Sequence, residues 1–158
     1  MDIKEVEKRI NEIWKEEDTY RRVKEARKDG KPFYFCDGPP YATGQPHPGT
    51  AWNKVMKDAV IRFWRLRGYN VRDQAGFDTH GLPIEVKVEK ELGIKSKQEI
   101  EGKVGVERFV EECRKFATKY IGIMSEQFRS LGVWMDFDDP YLTFHNSCLL
   151  YTSPSPRD

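Results

Sequence analysis

The feature that most constrains the fold is a short apolar strand that runs straight into a loop rich in glycine and proline. Residues 33–36 (Phe-Tyr-Phe-Cys) are followed by residues 37–46, in which neither a strand nor a helix can continue. A helical pattern then covers residues 50–67, and a second candidate strand covers residues 69–72. Strand, loop, helix and strand in this order form a βαβ unit, which predicts an α/β fold with a parallel sheet.

Helical patterns flank this unit on both sides. Apolar spacing over residues 2–17 predicts an amphipathic helix, and a second short helix is predicted for residues 19–28. Downstream, helices are predicted at residues 83–92, at a capping-box pattern over residues 96–99, and at residues 105–130. Asp138-Asp139-Pro140 indicates a turn.

The composition excludes several classes of protein. Lys and Arg number 27 against 26 Asp and Glu, a net charge of +1, which rules out a uniformly basic coat protein but allows a local basic groove. No apolar run approaches the ~20 residues of a membrane-spanning helix, so no membrane partner is expected. Cys36, Cys113 and Cys148 form no C-x-x-C pair, so no disulfide framework is expected and a cytoplasmic location is predicted.

Residues 148–158 differ in character from the rest of the chain. They resemble the translation of a transposase-type sequencing-library adapter, although their composition would also fit a disordered tail rich in Ser and Pro. We therefore leave residues 148–158 out of the fold prediction and expect them to be disordered. Residues 1–147 are then expected to begin a longer polypeptide whose C-terminal part is missing here.

The first group of candidate functional residues surrounds the start of the helix at residue 50. Gly38 and Pro39 lie in the loop, and His47, Gly49 and Thr50 lie at the helix start. In α/β proteins this crevice binds ligands, and the free N–H groups of the helix favour a phosphate. A single histidine is more often an ordinary loop residue, but the position of His47 at a helix start favours a donor to phosphate. Gly49, without a Cβ, would let a flat base approach the backbone.

A second group follows the second strand. Because both loops leave the same edge of the sheet, they are expected to open onto one crevice, where Asp78 would hold an ammonium group near the phosphate site. Two alternatives stay open. Asp73, Asp78, His80 and Glu85 would suit a metal, although no His or Cys pair accompanies them and we expect no metal site. Asp78 and Thr79 would also suit the cap of the helix predicted from residue 83.

Two motifs resemble those of a known family. Residues 40–50, which end in His-Pro-Gly-Thr, resemble the His-x-Gly-His signature that opens the first helix of class I aminoacyl-tRNA synthetases. Residues 78–85 (Asp-Thr-His-Gly-Leu-Pro-Ile-Glu), 132–137 and 140–143 resemble the isoleucyl branch of that class, of archaeal type. The resemblance covers residues 5–146. Thr50 departs from the second His of the signature, and Phe77 departs from a usual Trp.

The resemblance implies a fold, a reaction and site residues. The fold would be the N-terminal half of a Rossmann-like nucleotide-binding parallel sheet, with residues 1–30 as a helical segment and residues 31–147 as the first half of the catalytic domain. The reaction would activate isoleucine with ATP, accompanied by Mg²⁺, and transfer it to tRNA, mostly through positioning and electrostatic stabilisation. The amino acid would contact Gly38, Pro39 and Asp78, whereas ATP would contact His47, Gly49 and Thr50, of which His47 and Thr50 would be catalytic.

Other functions are also consistent with these patterns. The second signature of the class, Lys-Met-Ser-Lys-Ser, is not found, since residues 95–97 resemble it only superficially, so the chain alone is expected to be inactive. A non-catalytic nucleotide- or RNA-binding paralogue would use the basic, aromatic residues 62–67, although we expect Phe63 in the core and the arginines in solvent. A valyl or leucyl relative remains an alternative. A small adenylyl- or cytidylyltransferase would leave residues 78–85 unexplained.

Overall fold

The computed structural model describes residues 2–146 and 148. Its helices are α1 (Ile3–Glu16), α2 (Thr19–Glu25), α3 (Pro48–Leu66), α4 (Leu82–Glu91), α5 (Lys97–Glu99) and α6 (Val106–Ser130), with a π-helical turn at Ile100–Val104. Its strands are β1 (Pro32–Tyr34), β2 (Asn70–Arg72), β3 (Gln74–Phe77) and β4 (Asp136–Leu142). The disorder predicted for residues 148–158 lies, apart from Cys148, outside the described residues.

Both strand pairs in the described residues are parallel, which confirms the predicted α/β sheet. β1 pairs with β2, and β3 pairs with β4. Only Asp73 separates β2 from β3, so one extended segment carries both pairings. The carbonyl of Arg72 accepts from the N–H of Phe35, whereas that of Asp73 accepts from Asp136. Because successive carbonyls of a strand point to opposite sides, β1 and β4 flank this segment on opposite edges.

The predicted second strand at residues 69–72 corresponds to β2. The sequence did not indicate β3, because the partner of its backbone, β4, is distant along the chain. The strand prediction was wrong in one place. The turn predicted at Asp138-Asp139-Pro140 lies within β4 instead. The register passes from Gln74 opposite Asp136 to Gly76 opposite Tyr141, so the predicted turn residues form an irregularity in the strand.

Two apolar clusters hold the described residues together. The larger one packs β2 and β3 between α3, α6 and the segment that enters β4, and a smaller one packs α4 against α6. The larger cluster is centred on Ile61, Val71, Phe77, Met124 and Phe128. None of the helices in this part of the chain is long and apolar enough to cross a membrane.

Aromatic and charged side chains attach the N-terminal helices to this core. Trp14 of α1 contacts Trp134 edge to face, with ring centroids 5.0 Å apart, and the Arg62 guanidinium lies 4.0 Å from the Trp134 centroid. The hydroxyl of Tyr20 donates to Asp73 Oδ2 at 2.7 Å, and burial raises the pKa of Tyr20 well above its usual value. The predicted amphipathic helix therefore docks through a few large side chains, since α1 has no fully buried residue.

Two predicted helix caps are absent. The side chain of Ser96 makes no capping hydrogen bond, and Glu99 accepts from the N–H of Lys95 at 2.9 Å. The N-cap of α4 is Gly81, with φ at +83°, and not Asp78 or Thr79. Asp78 instead forms a parallel bridge with Tyr41, and the N–H of Thr79 donates to the hydroxyl of Thr143. Asp78 is therefore available for another role.

Candidate functional site

His47 is the N-cap of α3. Its Nδ1 accepts from the N–H groups of Gly49 at 3.1 Å and of Thr50 at 3.3 Å, and the helix begins at Pro48, slightly earlier than predicted. Because Nδ1 is an acceptor here, the ring proton belongs on Nε2. The imidazole thus satisfies the first orphan N–H groups of the helix and keeps one donor on the far side of the ring.

The requirement for glycine at position 49 is also steric, which the sequence did not indicate. A Cβ at this position would lie 3.0 Å from His47 Cε1 and 3.1 Å from Nδ1. These distances are too short for the ring to keep its place. Gly49 therefore allows the imidazole to lie over the first turn of α3.

The two loops named by the sequence lie side by side. The N–H of Asp78 donates to the carbonyl of Pro40 at 2.8 Å, and the N–H of Ala42 donates to the carbonyl of Asp78 at 2.9 Å. A Cβ on Gly76 would lie 3.2 Å from Pro39 Cβ, so the backbones approach closely. The structure therefore brings the Gly38–Pro39 loop and Asp78 together, as predicted from the topology.

Sequence reasoning missed the buried carboxylate that joins these loops to α3. The side chains of Asp37 and Lys54 are each 1% exposed and form an ion pair through Asp37 Oδ2. The same oxygen accepts from the N–H of Gly76 at 2.9 Å. Its Oδ1 accepts from Lys57 Nζ at 2.6 Å, and Lys57 also donates to the carbonyl of Gly38 at 3.0 Å. Burial lowers the pKa of Lys54 below its usual value, while the charge of Asp37 opposes this shift. The carboxylate thus links the start of the first loop, the end of β3 and the middle of α3.

The Asp78 side chain is held by a residue that is distant in the sequence. The hydroxyl of Thr143 donates to Asp78 Oδ1 at 3.2 Å and lies 2.7 Å from His80 Nδ1. The same hydroxyl accepts from the N–H of Thr79 at 2.9 Å. Asp78, Thr79 and His80 therefore converge on one side chain that the sequence indicated only as part of a family-like turn.

The alternative metal site is not assembled. Asp73 is fully buried and pairs with Arg65 and Tyr20 instead of turning toward the loops. Within residues 2–146 and 148, no group of three or more His, Cys, Asp and Glu side chains is placed to hold a metal ion. Asp73 acts as a structural anchor for α2 and α3.

The expectation for residues 62–67 was wrong for Phe63 and Arg65, whereas Arg67 is exposed as expected. Arg62 pairs with Asp58 at 2.6 Å, Arg65 is 4% exposed, and Phe63 is half-exposed. The buried residues of α3 are Lys54, Asp58, Ile61 and Arg65, of which only Ile61 is apolar. The charged ones are ion-paired, because carboxylates from loops and neighbouring elements contact this face. Two of the three arginines offered as an RNA-binding surface are therefore engaged inside the protein.

Comparison with known proteins identifies the family. The model of "tRNA synthetases class I (I, L, M and V)" matches residues 9–150. The chain belongs to the class I tRNA synthetases. This class I chain is 57% identical over 141 residues to the isoleucine–tRNA ligase of Pyrococcus horikoshii, covering 89% of the chain and 13% of that protein. It is 56% identical over 145 residues to the isoleucine–tRNA ligase of Pyrococcus abyssi, covering 92% and 14%.

A solved structure supports the fold of this class I chain. A LeuRS from Agrobacterium radiobacter K84 (agnB2), in a ternary complex with tRNA and LeuAMS, matches with a TM-score of 0.65 and 24% identity. The match covers 91% of this chain and 16% of the LeuRS. The fold is therefore that of a class I synthetase, while the chain spans only about one eighth of the length of the curated relatives it matches.

Proposed function

We propose that residues 1–147 are the N-terminal part of an isoleucine–tRNA ligase and that residues 31–147 are the first half of its catalytic domain. The observation that carries this proposal is the hydrogen-bonded contact between the two loops, in which Asp78 donates to Pro40 and accepts from Ala42 through its backbone. The identity to archaeal isoleucine–tRNA ligases supports isoleucine as the amino acid. The complete enzyme is expected in the cytoplasm.

The proposed reaction begins with the isoleucine carboxylate. One of its oxygens attacks the α-phosphorus of ATP, a phosphorus–oxygen bond forms, and the bond to pyrophosphate breaks. Asp78 would hold the substrate ammonium beside the backbone of Gly38 and Pro39. Positioning of this kind converts a bimolecular reaction into an effectively unimolecular one. A terminal ribose hydroxyl of tRNA then attacks the acyl carbon of the adenylate, an ester bond forms, and AMP leaves.

The start of α3 would bind ATP. Nε2–H of His47 would donate to a phosphate oxygen, and Thr50 would supply a hydroxyl in place of the second His of the signature. Such donors act most strongly as negative charge develops in the transition state. Mg²⁺ would accompany the nucleotide and neutralise phosphate charge.

The paralogue alternative receives less support from the structure. It relied on residues 62–67 as a basic surface, but Arg62 and Arg65 are engaged in ion pairs. The leucyl alternative is less favoured because the LeuRS match is 24% identical, whereas the isoleucyl matches reach 57%. We therefore retain isoleucine activation as the proposed function.

A chimaera tests this proposal. Residues 5–146 replace the matching segment of the Pyrococcus horikoshii isoleucine–tRNA ligase, and isoleucine-dependent ATP–pyrophosphate exchange is measured. We expect kcat within about tenfold of that of the parent enzyme, a difference of only ~1.4 kcal/mol in activation free energy. A control chimaera with the equivalent LeuRS segment is expected to be inactive with isoleucine, and the 158-residue chain alone should show no exchange.

Two results would contradict the proposal. A folded chimaera without isoleucine-dependent exchange would show that the segment does not carry half of this active site. Exchange by the 158-residue chain alone would show that the rest of the enzyme is not needed for activation.

A further inference from the structure

The end of β4 brings a hydroxyl group to the Asp78 carboxylate. The N–H of Thr143 donates to the carbonyl of Phe77 at 3.3 Å, and the N–H of Phe144 donates to Thr79 Oγ1 at 3.1 Å. These backbone bonds place residue 143 beside Asp78 although the two are 65 residues apart. The side chain of Thr143 therefore lies next to the loop that would bind the amino acid.

The number of hydrogen bonds that the Thr143 hydroxyl can make limits the roles of its partners. A threonine hydroxyl donates once and accepts twice. The N–H of Thr79 is a donor to Thr143 Oγ1 at 2.9 Å. His80 Nδ1 lies 2.7 Å from the same atom and is its closest partner. Because the hydroxyl has a single proton, its donation to Asp78 Oδ1 at 3.2 Å requires the His80 tautomer that carries its proton on Nδ1. Thr79 Oγ1, also 3.2 Å away, is a further partner of the same hydroxyl, and Asp78 is the charged acceptor among them.

This arrangement has a consequence for the Asp78 side chain. A carboxylate that is held at Oδ1 has a defined rotamer, and its second oxygen then points in one direction. The Oδ1 contact of 3.2 Å is long for a hydroxyl donor. His80 is exposed, so it can orient Thr143 without being part of the packed core.

We propose that Thr143 and His80 are positioning residues that orient the Asp78 carboxylate toward the ammonium group of the substrate. This inference rests on the proposed function. Thr143 acts directly on Asp78, whereas His80 acts through Thr143. The prediction is therefore graded: loss of the Thr143 hydroxyl should weaken amino-acid recognition more than loss of the His80 imidazole.

The test uses the active chimaera with Thr143→Val, which keeps the shape and removes the hydroxyl. We expect kcat/KM for isoleucine to fall about tenfold or more, since a charged hydrogen bond is lost, while KM for ATP changes less than about twofold. Thr143→Ser should restore most of the activity. The inhibition constant of isoleucinol, which keeps the ammonium and lacks the carboxylate, should rise in parallel with KM for isoleucine.

Matched controls separate positioning from folding. Thr118→Val removes another threonine hydroxyl, which donates to the carbonyl of Arg114 on α6, and should leave both KM values unchanged. His80→Ala, at an exposed position, should raise KM for isoleucine by a smaller factor even if Thr143→Val folds poorly. Asp78→Asn sets the upper limit of the expected loss.

The outcomes are distinguishable. If the unsubstituted chimaera is inactive, the proposed function fails. If it is active but Thr143→Val and His80→Ala leave isoleucine and isoleucinol binding unchanged, the positioning role is wrong and the proposed function stands. Failure of Thr143→Ser to restore binding would also overturn the inference, because it would assign the effect to the methyl group.

Discussion

At the scale of single residues, His47 has two functions that different variants can separate. Its Nδ1 caps α3, and its Nε2 remains a donor beyond the helix. An asparagine is also a good N-cap but does not carry a donor as far from the backbone. The capping and phosphate-binding roles of His47 therefore predict different responses to substitution by alanine and by asparagine.

We expect His47→Ala in the chimaera to lower both the melting temperature and kcat for adenylate formation, with a cap loss of about 1 kcal/mol. His47→Asn should recover the melting temperature but not kcat, because the transition-state donor is still absent. Thermal melts and pyrophosphate exchange at saturating isoleucine measure the two effects. An asparagine variant with full turnover, or an unchanged kcat with a raised KM for isoleucine, would contradict the phosphate role.

At the scale of elements, the buried face of α3 is built around ion pairs. The Asp37 carboxylate pairs with Lys54 and Lys57 and accepts from the N–H of Gly76, so it joins α3 to both loops. Lys54 additionally lies over the ring of Phe128, with Nζ 5.3 Å from its centroid. The carboxylate has several partners, whereas Lys54 has one buried counter-charge. Replacing Asp37 should therefore destabilise the chain more than replacing Lys54.

Asp37→Asn is expected to destabilise the chain by about 3–5 kcal/mol, since it leaves Lys54 buried without its counter-charge. Lys54→Met should cost less, because Asp37 keeps Lys57 and the N–H of Gly76. The double variant should be more stable than Asp37→Asn alone. Urea unfolding of the three variants measures these differences, and an Asp37→Asn variant no less stable than Lys54→Met would disprove the order.

At the scale of the whole molecule, α3 presents an apolar face that the described residues do not cover. Trp52 is 73% exposed and Leu66 83%, and Val55, Met56 and Phe63 lie on the same helix with about half of their surface accessible. Exposed apolar patches of this kind promote association. Both outer strands also have an edge without a partner strand in the described part of the chain, which adds to this tendency.

We expect the isolated chain to self-associate at micromolar concentration through α3. Phe63→Lys together with Val55→Lys should shift sedimentation toward the monomer, because the charges interrupt the apolar face. Ile3→Lys, which changes a single exposed residue on α1, is the control and should leave the distribution unchanged. Equal behaviour of the two variants would show that association uses another surface.

The features that could be predicted from the sequence are those that depend on local spacing. The βαβ order, the helix start at His47 and the two loops could be predicted because turns, caps and helical periodicity involve residues close in the chain. The family could likewise be identified from residues 40–50 and 78–85, which are short contiguous motifs. The expectation that both loops meet at one sheet edge followed from parallel topology alone.

The distant partners of these residues could not be predicted, because they depend on how the chain folds in three dimensions. The pairing of β3 with β4, the contact of Thr143 with Asp78 and the ion pair of Lys54 with Asp37 join segments whose spacing in the sequence carries no signal. The same reason explains the error on α3: periodicity identifies an apolar face, but whether that face is buried depends on what packs against it. Here buried carboxylates meet the polar face, and this choice is a property of the assembled fold.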